Sequence, residues 1–123
     1  PEELIFKGGY TYRKGYEGAL SLLKQDLPFT AIFCGNDQSA MSAIAAITNE
    51  GLQVPNDISV IGYDDMNIAS YTSPPLTTVR IPFNRMAISA TRRLLNLCYN
   101  LELDIDYDFP IQLIERSSVK NMG

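Results

Sequence analysis

Two pairs of polar residues stand directly after apolar runs of the chain, and they are the side chains best placed for chemistry. Asn36 and Asp37 follow one such run, and Asp64 and Asp65 follow another. Both runs are rich in β-branched residues, which is typical of strands covered on both faces in a parallel sheet. Because ligands of open parallel sheets lie at the carboxyl ends of the strands, we expect both pairs at one rim.

Asn36 offers a carbonyl acceptor and amide donors, which suit a polyol, an amide or a base edge. Asn and Asp are also favoured at helix N-caps, so one member of this pair is expected to cap the helix that follows. We assign Asp37 to the cap or the first turn, where its charge complements the helix dipole, and Asn36 to the ligand. The alternative is that Asn36 is itself the cap.

Asp64 emerges first from its strand, so we assign it to ligand hydroxyls and give Asp65 a structural role. The alternative for either residue is the capping of a turn. A glycosidase would use two carboxylates as general acid and base, but adjacent residues at a strand end point in different directions. The chain contains no histidine, which excludes His-based acid–base catalysis, Ser-His-Asp triads and His-ligated zinc within it. We therefore do not expect an enzyme.

Two further residues are candidates for the same rim. Tyr10 precedes the first predicted helix, and its ring is suited to stacking on a flat or sugar-like ligand; the alternative is core packing. Arg80 ends the third predicted strand, and its alternative role is a surface salt bridge.

The elements that must hold these residues alternate between helix and strand, which predicts an α/β fold with a mostly parallel sheet flanked by helices. Thr11 is expected to cap the first helix, Gly51 to end the second, and Pro82 to precede the third. The predicted strands cover residues 30–34, 58–63, 77–81 and 111–114, and the predicted helices cover about 12–24, 38–50 and 83–99.

The composition is ordinary for one globular domain, with 123 residues of which 46% are hydrophobic and 20% charged. The net charge of −4 argues against direct contact with a nucleic-acid backbone, which usually needs a basic face. No apolar run approaches the roughly 18 residues of a membrane span, and the acidic first residues do not resemble a signal peptide. Cys34 and Cys98 are expected as buried free thiols in a reducing compartment. We expect no metal or other cofactor.

The second predicted helix has no charged residue between Asp37 and Glu50. A helix that is apolar almost all round is buried on two sides, and only one of them is the sheet. We assign the other side to a subunit interface; the alternative is that another helix of the same chain covers it. The assigned interface residues are Met41, Ala45, Thr48 and Tyr71.

Several ordered segments of the chain resemble the LacI/GalR family of bacterial transcription regulators. They are residues 30–41, which begin TAIFCGNDQSAM, residues 51–65, GLQVPNDISVIGYDD, residues 71–80, YTSPPLTTVR, and the closing ERSS at 115–118. The resemblance runs along nearly the whole chain and implies part of a periplasmic-binding-protein-like sensor, in which two α/β subdomains enclose a ligand cleft.

Carried over residue by residue, the resemblance implies that Asn36 and Asp64 contact the effector and that Tyr10 stacks on it. The helix that starts at Asn36 corresponds to the family's dimerisation helix. Residues 1–123 correspond to the C-terminal portion of the effector-binding and dimerisation domain, and the helix at about 83–101 packs on the N-terminal subdomain in the family. The DNA-binding domain is expected outside this chain.

The resemblance predicts a cytoplasmic homodimer that binds a small sugar- or nucleoside-like effector. It would bind operator DNA through the domain outside this chain, without contact with a membrane. The alternatives are a stand-alone periplasmic-type sugar-binding receptor, which would not need the uncharged helix, and an enzyme acting through Asp64 and Asp65.

Overall fold

The fold is an open four-stranded sheet with helices, seen in a computed structural model that describes residues 2–25 and 27–121. Pro1, Asp26, Met122 and Gly123, which the expected domain at 1–123 includes, lie outside the described residues. The strands are β1 (Ala31–Phe33), β2 (Ser59–Asp64), β3 (Thr77–Arg80) and β4 (Gln112–Ile114), and the helices are α1 (Tyr12–Leu23), α2 (Asp37–Asn49) and α3 (Phe83–Tyr99). Two 3-10 helices, Glu2–Leu4 and Asn67–Tyr71, complete the elements.

The strand order in the sheet is β1-β2-β3-β4. The first three strands run parallel, and β4 pairs antiparallel with β3. The predicted α/β class and mostly parallel sheet are therefore confirmed. The chain leaves the sheet after Arg80 and returns at Gln112, its partner in the register. Because exit and return lie at the same end of the sheet, the last strand runs the opposite way.

The helix ends follow the capping residues of the sequence. The Thr11 hydroxyl accepts a hydrogen bond from the backbone N–H of Lys14 at 3.3 Å, which confirms it as the N-cap of α1. Gly51 follows α2 with a φ of 82°, a left-handed conformation that favours glycine. The third helix begins directly after Pro82, as predicted.

The core lies between the sheet and the helix pair α1 and α2, which cover one face of the sheet. Gly15 in α1 lets the two helices approach closely, because a Cβ there would collide with the Ser39 carbonyl and the Ser42 hydroxyl. Burial of the aliphatic side chains in this layer stabilises the fold by about 25 cal/mol per Å² of apolar surface. The buried hydrophobic residues include Ala19, Leu22, Ile32, Ala43, Ile47, Val60 and Leu76.

The opposite face of the sheet and the apolar stripe of α3 are exposed. Phe33 and Leu113 on the sheet are 64% and 52% exposed, and Leu94 and Leu97 on α3 are exposed as well. The polar side of α3 is covered instead by the irregular segment 101–108. That segment is held by an ion pair between Arg85 and Asp106 and by paired hydrogen bonds between Asn96 and Leu103, together with other contacts along the helix.

Within residues 2–25 and 27–121, no helix combines the length and the apolar character required to cross a bilayer.

The two cysteines differ in their surroundings. Cys34 is buried, as expected, whereas Cys98 is exposed, so the expectation of two buried thiols is wrong for Cys98. The reason is that Cys98 lies on α3, a helix that does not enter the core. Burial raises the pKa of the Cys34 thiol to about 12.

We expect Cys98 to react with iodoacetamide at pH 8 while Cys34 reacts only after unfolding, because alkylation needs an accessible thiolate. Peptide mass spectrometry after timed alkylation measures both rates in one sample. The Cys98→Ser variant is the control, since its native form should show almost no labelling. Equal labelling rates for the two cysteines in the folded protein would contradict the description of the core.

Candidate functional site

An open cavity of about 720 Å³ lies where β2 ends and α2 begins. The structure brings the sequence-predicted residues Asn36 and Asp64 together at this cavity, in agreement with the rule that selected them. We call it the rim cavity. It is lined by Asn36, Gln38, Asp64, Asp65, Met66, Asn67, Ile68 and Phe83.

Asn36, and not Asp37, is the N-cap of α2. The Asn36 Oδ1 accepts a hydrogen bond from the backbone N–H of Ser39 at 2.9 Å, and its Nδ2 donates to the carbonyl of Tyr10 at 3.0 Å. Asp37 lies in the first turn, one of the two positions assigned to it, whereas the expectation that Asn36 is free of capping is wrong. Asn36 has the extended backbone of an N-cap, with φ −157° and ψ 171°. It retains a second amide hydrogen and a second lone pair, so a cap at this position can also contact a ligand.

Asp37 is the first residue of α2, and it points into the protein with 0% of its surface exposed. Its Oδ1 accepts a hydrogen bond from the Thr78 hydroxyl at 2.5 Å, and its Oδ2 accepts one from the backbone N–H of Met66 at 2.7 Å. Gly62 makes room for this carboxylate, because a Cβ there would collide with Oδ1. An isolated glycine within an apolar strand indicates such a close approach by another group. Gly62 is therefore the feature of the sequence that could have predicted the inward position of Asp37.

The backbone at Asp64 and Asp65 has positive φ angles of 112° and 52°. The Asp65 carboxylate accepts hydrogen bonds from Arg80 Nε at 2.6 Å and from Arg116 Nη2 at 2.7 Å, and its side chain is 7% exposed. Asp65 therefore has the structural role predicted for it, and Arg80 forms the salt bridge named as its alternative. Arg116 was not identified from the sequence, because it is far from Asp65 along the chain.

Asp64 has a different environment from its neighbour. No described residue donates a hydrogen bond to its carboxylate or forms an ion pair with it. Its pKa is raised, first by partial burial and then by the negative charge of Asp37. The carboxylate that lines the cavity is thus the member of the pair that is available to a ligand.

Tyr10 is connected to the rim through its backbone only. Its carbonyl holds Asn36, while its ring is 69% exposed, lies beside Gly35 and lines a separate cavity of about 450 Å³ between residues 6–10 and α1. Stacking of Tyr10 on a ligand stays a prediction. The amides of Gln38 and Asn67 and the apolar side chains of Ile68 and Phe83 line the rim cavity and were not identified from the sequence.

The α2 residues assigned to a subunit interface lie on the side of the helix that α1 does not cover, and their role in an interface stays a prediction. Helix α1 packs on one side of α2, so the alternative of a covering helix from the same chain holds for that side. The other side, formed by Met41, Ala45 and Thr48, lines an open groove of about 370 Å³ with residues 72–73. We call this side of α2, with Met41, Ala45 and Thr48, the α2 flank. Tyr71, at the end of the second 3-10 helix, is 81% exposed.

Comparison with known proteins identifies the family. Residues 3–119 match the periplasmic binding protein-like domain. The transcriptional repressor PurR of Photorhabdus laumondii is 41% identical over 119 residues, which cover 96% of this chain and 35% of PurR. The crystal structure of the Escherichia coli repressor AscG superimposes with a TM-score of 0.86 at 36% identity, covering 97% of this chain and 43% of AscG. The chain belongs to the LacI/GalR family.

The family and fold expected from the sequence motifs are therefore confirmed. A further structural neighbour is the transcriptional regulator CelR in complex with cellobiose, with a TM-score of 0.86, 27% identity, and coverage of 96% of this chain and 36% of CelR. The chain spans 35% of the length of PurR. The contacts within this chain therefore correspond to only one part of the structure of these longer relatives.

We expect Asp65→Asn to lower the free energy of unfolding at pH 7 by about 2 kcal/mol, since hydrogen bonds to charged groups contribute about 1.5–3 kcal/mol. Burial acts to raise the pKa of Asp65, but hydrogen bonds and charge from Arg116 and Arg80 outweigh it and lower the pKa. This contribution is therefore present above the unfolded carboxyl pKa of about 3.9 and is lost as the pH falls through the lower folded value.

Urea unfolding of the wild type and Asp65→Asn between pH 7 and pH 3 measures this difference. Asp104→Asn is the control, because that side chain is exposed and makes no described contact. A stability difference that stays constant down to pH 3, or none at pH 7, would contradict the assignment.

Proposed function

We propose that this chain is the C-terminal portion of the effector-binding and dimerisation domain of a longer LacI/GalR repressor. The observation that carries the proposal is the convergence of the Asn36 amide and the unpaired Asp64 carboxylate on one open cavity. In this proposal the segment at about 83–101 packs on an N-terminal subdomain, which fits the exposed apolar stripe of α3.

The lining of the rim cavity suits a small polyhydroxylated effector. A carboxylate accepts hydrogen bonds from adjacent hydroxyls, and the amides of Asn36, Gln38 and Asn67 both donate and accept. The ring of Phe83 offers an apolar surface for the carbon face of a sugar. A pyranose and a nucleoside ribose both present such hydroxyls, and the cellobiose complex of CelR supports the sugar class.

The arrangement supports binding and not bond cleavage. Asp65 is fully engaged by two arginines, so it does not form an acid–base pair with Asp64. A binding protein acts by holding its effector more tightly in one conformation than in another, which needs neither a catalytic group nor a cofactor. We therefore propose a non-enzymatic sensor.

Operator binding is assigned to a DNA-binding domain outside this chain, since the chain itself has a net charge of −4. Two copies joined along the α2 flank and Tyr71 would fix the spacing of two such domains on operator half-sites. A regulator with this activity works in the cytoplasm. The alternative of a stand-alone sugar receptor is not favoured, because the relatives reported above are transcriptional repressors.

We expect Asn36→Ala and Asp64→Asn each to weaken effector binding by the full-length regulator at least about tenfold, the effect of losing a hydrogen bond to a polar ligand. Isothermal titration calorimetry against sugars and nucleosides measures it. Because the pKa of Asp64 is raised, its ionised form is less favourable in the folded chain than in the unfolded chain. Asp64→Asn should therefore keep or raise Tm, which separates lost binding from unfolding. Unchanged affinity in both variants would exclude the site.

We expect Ala45→Arg to convert the full-length dimer to a monomer, since it buries a charge in a small-residue interface without changing helix propensity much. Analytical ultracentrifugation measures the change in mass. Thr30→Arg is the control, because it introduces the same charged side chain at an exposed position before β1, and it should remain dimeric. A dimer of unaltered affinity in Ala45→Arg would show that subunits associate elsewhere.

A further inference from the structure

We propose that Asp37 is a positioning residue of the rim cavity: it fixes residues 64–66 so that Asp64 faces the ligand, and it joins the cavity to the segment that ends at Tyr71. The inference rests on the proposed function for its ligand. It assigns a role to a buried carboxylate that itself does not line the cavity.

The Asp37 carboxylate accepts hydrogen bonds through both of its oxygens. One oxygen accepts from Thr78 and the other from the backbone N–H of Met66. The same Thr78 oxygen accepts from the backbone N–H of Asp65 at 3.4 Å. Asp37 and Thr78 therefore hold both peptide N–H groups that follow Asp64. We call residues 64–66 the Asp64 turn.

The backbone of the Asp64 turn is strained. Asp64 and Asp65 both have positive φ angles, which non-glycine residues adopt only at a cost in free energy. Such a conformation persists only where surrounding contacts hold it. Hydrogen bonds to a charged, fully buried carboxylate are among the strongest available, so Asp37 is well suited to offset that cost.

A chain of hydrogen bonds leads away from the Asp64 turn. The Met66 carbonyl accepts a hydrogen bond from the N–H of Ala69 at 2.8 Å, and Ala69 is the fully buried residue of the 3-10 helix Asn67–Tyr71. The Ala69 carbonyl in turn accepts from Leu76 N–H at 2.8 Å. The Asp64 turn and the segment that ends at Tyr71 are thereby connected through packed backbone.

Charge gives a readout that a purely structural role would not change. The charged groups around Asp64 are Asp37 from α2, Asp65 in its own turn, Arg80 from β3 and Arg116 after β4. Both arginines are bonded to Asp65, which leaves the negative charge of Asp37 acting on Asp64. Removing that charge makes Asp64 easier to ionise, so its titration moves to lower pH.

The first experiment follows the Asp64 carboxyl carbon by NMR during a pH titration of the ligand-free protein. In Asp37→Asn, which keeps an acceptor for Met66 N–H but loses the charge, we expect the Asp64 midpoint at lower pH than in the wild type. Asp57→Asn is the matched control, since Asp57 also accepts a backbone N–H, from Gln53 at 2.8 Å, and lies away from the rim. An unmoved Asp64 midpoint in Asp37→Asn would overturn the proposal.

The second experiment measures effector affinity of the full-length regulator by calorimetry. We expect Asp37→Ala and Thr78→Val to weaken binding at pH 7 at least about tenfold, and Asp57→Asn to leave it within about twofold. Thr78→Ser should restore binding. If Asp37→Ala fails to fold, the effector affinity of Thr78→Val and the Asp64 titration midpoint of Asp37→Asn carry the test.

The outcomes separate the two proposals. Wild-type affinity for Asp37→Ala and Thr78→Val, in folded protein, would overturn the positioning role and leave the proposed function standing. A wild-type protein that binds no sugar or nucleoside, together with a shifted Asp64 midpoint in Asp37→Asn, would overturn the effector class and retain the positioning role.

Discussion

The backbone conformation at the end of β2 is the constraint on which the rim depends. Two consecutive aspartates with positive φ angles direct their carboxylates to different places. One is neutralised by two arginines from β3 and the segment after β4, and the other is left facing the cavity. Without the contacts of Asp65, Asp37 and Thr78, the turn would relax to a backbone with negative φ, and the cavity would lose its carboxylate.

The chain covers only a small part of the length of its relatives, and its exposed apolar surfaces agree with this. One sheet face, the α3 stripe and the α2 flank all present hydrophobic side chains, although the helix pair on the other sheet face forms a well-buried core. Exposed apolar area of this extent marks surfaces that pack against other protein. In the proposed regulator, three neighbours would cover them: the N-terminal subdomain, the rest of the C-terminal subdomain and the second subunit.

Local signals predicted much of the fold. Pro82 and the stripe of α3 set the bounds of that helix, and the strand-end rule selected Asn36 and Asp64 before any contact was known. The capping preference did not separate Asn36 from Asp37, because it ranks the two residue types alike. Which of them turns inward is decided by Gly62 and Thr78, residues distant in sequence. The direction of β4 likewise depends on where the chain re-enters the sheet.

In the proposed function, the ionised carboxylate of Asp64 binds the hydroxyls of a small effector. The most direct test of this binding is the pH dependence of the effector dissociation constant in the full-length regulator, for the wild type and for Asp64→Asn. We predict that wild-type affinity falls as the pH is lowered through the raised pKa of Asp64, and that Asp64→Asn binds weakly with no such dependence. Parallel pH profiles of equal affinity for the two proteins would contradict the claim.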